Sequence, residues 1–250
     1  MRKHFAISET HSRRLFSAIS SALTIKRSQR RKTCAITISS LADVTVHIPH
    51  WLPEKELHAF LSKHESWIAK HVNSLQALKK QNQRQYINNE TFLYLGEPLQ
   101  LRLLAHDYRT ARIHIDDDRL LLHCPESWQH NTQKKEKAVS KWFRTRANDI
   151  LCDRLLFWEK RMSLTARSHI IRSLKSRWGS CSSSGRITLN WRLIKAPLSV
   201  IDYVVIHELS HLVHMNHSPS FWTFVKTYCP RYNTEKAWLK THGVLIQNEG

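Results

Sequence analysis

The chain has 250 residues, 41% of them hydrophobic and 24% charged, the balance of a soluble globular protein and not of a disordered one. Thirty-nine Lys and Arg against 20 Asp and Glu leave a formal net charge of +19, which argues against an acidic interaction module. Anionic partners fit instead: nucleic acid, a charged membrane surface or acidic substrate segments. The five cysteines are scattered and never form a C-x-x-C pair, which argues against a disulfide framework or a four-cysteine zinc module and points to a cytoplasmic protein. No stretch approaches the roughly 18 apolar residues of a membrane span.

In chain order, residues 1–25 read as a basic, serine-rich extension; its composition is shared with organelle transit peptides, but Glu9 interrupts it. Ala35–Ile38 and Val44–Ile48 alternate apolar and polar residues and predict a strand pair around Ala42-Asp43. From Glu54 to about Gln83 the spacing is helical, with Leu57, Phe60, Leu61, Trp67, Ile68, Val72 and Leu75 roughly on one stripe. Thr91–Leu95, a turn at Gly96, and Leu99–Leu104 predict another strand pair, followed by a hairpin of Arg112–Ile115 and Arg119–His123.

A long helix is expected from about Thr132 to Met162, then strands at Ile170–Leu174 and Ile187–Trp191 around the turn Ser182-Ser183-Ser184-Gly185. Helices are predicted over about Ser199–Met215, from Ser218-Pro219 to before Pro230, and over roughly Thr234–Leu245. The class is α+β.

The chemistry concentrates in His207-Glu208-Leu209-Ser210-His211. Two His four residues apart share a helix face and can converge on one Zn²⁺ at ~2.0–2.1 Å. Glu208 is rotated off that face, where it can reach a water as general base without ligating the ion. The flanks Val204-Val205-Ile206 and Leu212-Val213 are apolar, so these polar side chains need a partner to be buried; an exposed polar face without an ion is the bland reading.

A third ligand is needed. His214 shares the face but lies about 10.5 Å from His207 along a straight helix. His217 is better placed, if Asn216 takes a left-handed conformation and folds the chain back; His214 is then a supporting or surface residue. Three protein ligands leave a fourth position for water, the mark of a catalytic site, and the reading is hydrolysis of an amide bond through a metal-activated water.

These residues resemble the YgjP-like metallopeptidases, small gluzincin-type zincins related to the SprT-like and WLM proteases. The resemblance rests on His207 to Trp222 (HELSHLVHMNHSPSFW) and the preceding Ser176 to Ile206, and extends upstream to the basic Lys26–Thr33, Trp67-Ile68 and Tyr94-Leu95-Gly96, or about residues 26–245. It implies a zincin-like core with a small mixed sheet over the metal-binding helix, one Zn²⁺ held by His207, His211 and His217, Glu208 as catalytic base, and a protein or peptide substrate. Gluzincins proper use a downstream Glu as third ligand; His217 in that role is closer to the SprT-like arrangement.

On this reading 1–25 is the extension, 26–128 an N-terminal α+β region and 129–250 the catalytic region, which can form one continuous domain with 26–128. Arg177-Trp178-Gly179-Ser180-Cys181 reads as a strand over the metal helix that can pair with an extended substrate, Arg177 reaching a substrate carboxylate or a transition-state oxygen. The bland alternative makes Trp178 core and Gly179 a turn residue. Cys181 is either a reversible zinc ligand or, as its type favours, a buried inert thiol. Asn190 and Tyr203 are candidates for polar support near the site.

The basic run Lys26–Lys32, the patch Gln133–Lys137, and Arg144, Arg146 and Arg154 add positive field, and the SprT-like and WLM relatives act on DNA-bound proteins. The alternative function is therefore a basic nucleic-acid-binding protein with a structural or inactive zinc site. No helix-turn-helix, zinc-ribbon or RNA-binding signature accompanies it.

Overall fold

The computed structural model describes residues 23–39, 42–81, 84–107 and 109–248, which form five α-helices and three small mixed sheets, an α+β fold that divides into two units after Asn82. Residues 1–22, the bulk of the basic extension with its transit-peptide composition, lie outside the described residues.

In the first unit, Val44, Val46 and Ile48 alternate with Thr45 and His47, and this period of two buries one face of the central strand. That strand, β3 (Val44–Pro49), pairs in parallel with β1 (Leu23–Ser28) and antiparallel with β2 (Ala35–Ile38). Leu23 and Ile25, assigned to the extension from their basic surroundings, are thus strand residues packed against the unit's core. Helix α1 (Glu54–Gln81) covers the core with Leu57, Leu61, Ile68 and Val72. Trp67, expected on the same stripe, is 45% exposed and lies at a tilt against His71 instead, because it is one residue, about 100°, off the Leu61–Ile68 line.

The second unit opens with β4 (Thr91–Tyr94), β5 (Glu97–His106), β6 (Arg112–Asp116) and β7 (Arg119–Pro125), in the sheet order β4-β5-β7-β6. The 31-residue α2 (Thr132–Met162) starts where the Asn131 side chain accepts the Lys134 N–H at 3.0 Å and stops at Ser163, whose left-handed backbone turns the chain. Val139, Phe143, Ala147, Leu151 and Leu155 repeat every four residues and bury one stripe against the β4–β7 sheet and the later elements. Full burial of Phe143, Leu151 or Leu155 stabilises the fold by about 1.5–3 kcal/mol each. Phe92, Leu99, Leu101, Leu120 and Leu122 share this core, so the strand block 91–125 folds with the C-terminal half of the chain.

The third sheet has the order β8-β10-β9: β8 (Ser168–Arg172) runs parallel to β10 (Arg186–Asn190), and β9 (Gly179–Cys181) antiparallel to it at the edge. A 3₁₀ turn (Trp191–Lys195) leads into α3 (Leu198–Ser210); α4 (Pro219–Tyr228) and α5 (Tyr232–Asn248) complete the chain. The tip of the β4–β5 hairpin clamps the start of α3. Leu95 and Gly96 donate backbone bonds to the carbonyls of Ile194 (2.7 Å) and Lys195 (3.2 Å). Gly96 is required there twice over: its φ is +89°, and a Cβ would meet Pro197 at 2.8 Å. From the other side Arg154 of α2 grips Asp202 of α3 through two bonds of 2.6 and 2.9 Å, so this arginine is committed to an ion pair rather than to a free basic face.

Candidate metal centre

Helix α3 is apolar nearly all round, with Val200, Ile201, Val204, Val205, Ile206 and Leu209 buried, so the residues of its last turn sit against the core. The helix ends at Ser210, five residues before the expected Met215: Leu212 and Val213 bond back to Leu209 and Ser210 in a tighter turn. This early end, and not a left-handed Asn216, turns the chain; Asn216 is not among the positive-φ residues. Ser218 then caps α4 by accepting the Phe221 N–H, with Pro219 in the first turn.

The result is a convergence of three imidazoles. His207 and His211 rings are 5.0 Å apart, and His217 brings its Nε2 to 3.1 Å from the Nε2 of His207 and its ring to 4.8 Å from His211. One nitrogen from each lies within 4.8 Å of the others, and no other such group of His, Cys, Asp or Glu occurs among the described residues. Two nitrogens sharing one tetrahedral zinc at ~2.0–2.1 Å stand about 3.3 Å apart, so the His207–His217 spacing fits a common ion.

The protonation states of His207 and His211 fit as well. Burial first, and then His211 and His217, lower the His207 pKa to about 3, and burial also lowers that of His211; neutral imidazole is the form that donates a lone pair to a metal. His211 Nδ1 lies 3.0 Å from the His214 carbonyl, an acceptor only, so Nδ1 carries the hydrogen and Nε2 keeps its lone pair. His214 thus serves through its backbone, while its ring packs on Phe224. The buried Nδ1 of His207 has no hydrogen-bond partner, which leaves the opposite end of that ring as its polar anchor.

Aromatic rings hold the triad. Phe221 lies 4.6–5.0 Å from all three imidazoles, and Trp222 stacks on His217 at 5.7 Å. Sequence reasoning assigned neither a role. The available signal was their position three and four residues after the Ser218 cap, on the first turn of a helix that starts beside His217.

Glu208 is 5% exposed, and burial pushes its carboxyl up to about 8, against the opposing pull of Arg177 and of a bond from the Cys181 backbone N–H. Strand β9 therefore lies directly over this side chain. Gly179 makes the approach possible: a Cβ there would sit 2.6 Å from both Cγ and Oε1 of Glu208. The glycine serves a close contact with the carboxylate, not a turn.

The other candidates fall into place around this pair. Arg177 is exposed and close enough to act on Glu208 electrostatically. Tyr203, 5% exposed, meets the His207 ring edge-on at 5.9 Å, and burial raises its phenol to about 12. Asn190 is fully buried and commits its amide to the backbone: it donates to the carbonyls of Leu174 (3.0 Å) and Arg177 (3.1 Å) and accepts from the Arg192 N–H. Gln247 of α5 adds bonds to Leu174 and Lys175, and Trp178 packs on Gly243, so the segment entering β9 is pinned from two sides. The Cys181 thiol stays outside the histidine cluster, and burial raises its pKa. All five cysteines are free.

A search of the curated proteins gave no match. A solved structure described as the metallopeptidase zymogen abylysin of Pyrococcus abyssi aligns over 36% of this chain and 92% of its own, at 28% identity and a TM-score of 0.34. The family profile described as "YgjP-like, metallopeptidase domain" matches residues 32–242. The chain belongs to the YgjP-like metallopeptidases.

Proposed function

We propose that this metallopeptidase is a zinc enzyme whose single ion is held by His207, His211 and His217, with Glu208 as the general base in cleavage of a peptide bond. The observation that carries the reading is the approach of one nitrogen from each of three imidazoles to within 4.8 Å of one another beside a buried carboxyl. Zinc, when bound, supplies a Lewis acid that polarises the scissile carbonyl and acidifies water.

The chain's own residues do the rest. Burial raises the Glu208 carboxyl above the ordinary carboxylate range, and a bound cation beside it would draw it back down, so that near neutral pH its ionised form can accept a proton from the attacking water and return it to the leaving nitrogen. The Cys181 N–H fixes that carboxylate, while Gly179 leaves room for it against β9. As an edge strand, β9 can align an extended substrate by backbone pairing, with Arg177 at its entrance to meet a carboxylate or the developing oxyanion. Tyr203, Phe221 and Trp222 hold the imidazole rings and exclude water behind them.

The test is Glu208→Gln. Hydrolysis of a fluorescent protein substrate falls by about 10²–10⁴-fold while zinc content is kept. Retained hydrolysis would assign the base elsewhere.

A further inference from the structure

One cavity of the second unit lies away from the histidines. It is a groove of about 890 Å³ between β6 and the N-terminal half of α2, and it shares no residue with the triad. Two properties coincide in it. One wall is β6, the outer strand in the order β4-β5-β7-β6, and every second residue of an edge strand turns its N–H and C=O away from the sheet. The floor carries half-buried apolar side chains, among them Ile113, Ile115, Ala138, Trp128 and Trp142.

The rim is positively charged without compensation in the lining. Lys134, Lys137 and Lys141 recur along α2 at three- and four-residue spacing and are exposed; Arg109 and Arg146 join them. None of the lining residues is Asp or Glu, although Arg146 pairs with Asp149 just outside. An edge strand with no further strand beside it among the described residues, facing a helix across an apolar floor, is the geometry in which an extended peptide adds a strand, its main chain bonding the edge and its side chains entering the groove. Lysine stems lie along apolar surface while their ammonium groups meet carboxylates. Nucleic acid would use the cations and indoles, but it has no peptide main chain with which to extend the β6 ladder.

We propose that this groove docks an extended acidic peptide, one carrying carboxylates among apolar residues, as an added strand on β6. The site is independent of the hydrolytic centre. It is a place where a partner or a substrate tail is held while the chemistry occurs elsewhere.

The probe is a fluorescein-labelled peptide alternating Glu and Val, titrated into the full chain by anisotropy, with amide hydrogen exchange read at residues 112–116. Running it also in Glu208→Gln keeps the probe intact and separates docking from hydrolysis. The peptide is expected to bind, to weaken as NaCl rises, and to slow exchange across β6, while its Lys/Val counterpart does not bind. Lys137→Glu with Lys141→Glu, both exposed positions, is expected to weaken binding about tenfold or more. Ala138→Trp, which fills the floor without changing charge, is expected to do likewise, circular dichroism being unchanged for both variants. Equal binding by the charge-reversed variant, unaltered β6 exchange, or an oligothymidylate that binds more tightly and displaces the peptide would each overturn the proposal.

Discussion

Glu208 and His207 are neighbours on one helical turn, and burial shifts both toward their uncharged forms, by raising the first to about 8 and lowering the second to about 3. The signs for the metal-free protein follow from linkage. A carboxyl whose folded pKa lies above its ordinary 4.5 binds more protons folded than unfolded, so its contribution to stability is lost as pH rises from about 4.5 to about 8. An imidazole lowered from 6.5 behaves oppositely: unfolding takes up a proton, and stability is lost as pH falls from 6.5 toward 3. The melting temperature of the EDTA-treated wild type, minus that of Glu208→Gln, should therefore decline between pH 4.5 and 8. A flat difference would show that the carboxyl is not buried as described. Residue identity in the motif was legible because a His-Glu-x-x-His spacing fixes which side chains share a helix face. The supporting contacts were not: the His214 carbonyl, the Cys181 N–H and the Phe221 ring act through backbone or packing that depends on where the helix ends.

At the scale of elements, two glycines each permit a close approach that a side chain would block. Gly179→Ala places a methyl group 2.6 Å from Glu208 Cγ and Oε1, too close for contact, so the carboxylate must move. A displacement of about 1 Å is enough to lower kcat about 10²-fold, with zinc content and melting temperature nearly unchanged. Unaltered kcat in that variant would remove β9 from the catalytic arrangement. Gly96→Ala acts on stability instead, because it combines a positive φ with a clash against Pro197; a loss of about 1–3 kcal/mol in urea unfolding is expected. The elements themselves followed closely from the pattern: both hairpins of the β4–β7 sheet and the span of α2 agree with the alternation and the four-residue spacing read from the chain. The end of α3 did not, since Leu212 and Val213 continue an apolar helical pattern while their backbones turn early. Strand β1 was hidden because two apolar residues among lysine and arginine carry little periodic signal.

For the molecule as a whole, one large core organises the second unit and the site rests on it. Leu151 is fully buried in that core, and Leu151→Ala is expected to cost about 2–5 kcal/mol in denaturant unfolding while leaving the histidine triad and Glu208 in place. Composition exposed the positive field but not its distribution: Arg154 is spent on Asp202, and the cations of the β6–α2 groove gather without carboxylates in its lining. No helix among the described residues is long and apolar enough to cross a membrane. The claim beneath the functional account is that His217, brought back by the early end of α3, completes a site begun by His207 and His211. Elemental analysis of the purified wild type beside His217→Ala tests it most directly. The account predicts one zinc per chain in the wild type and a substoichiometric amount in the variant after identical dialysis; a wild type that takes up no zinc, or a variant that holds it equally well, would contradict it.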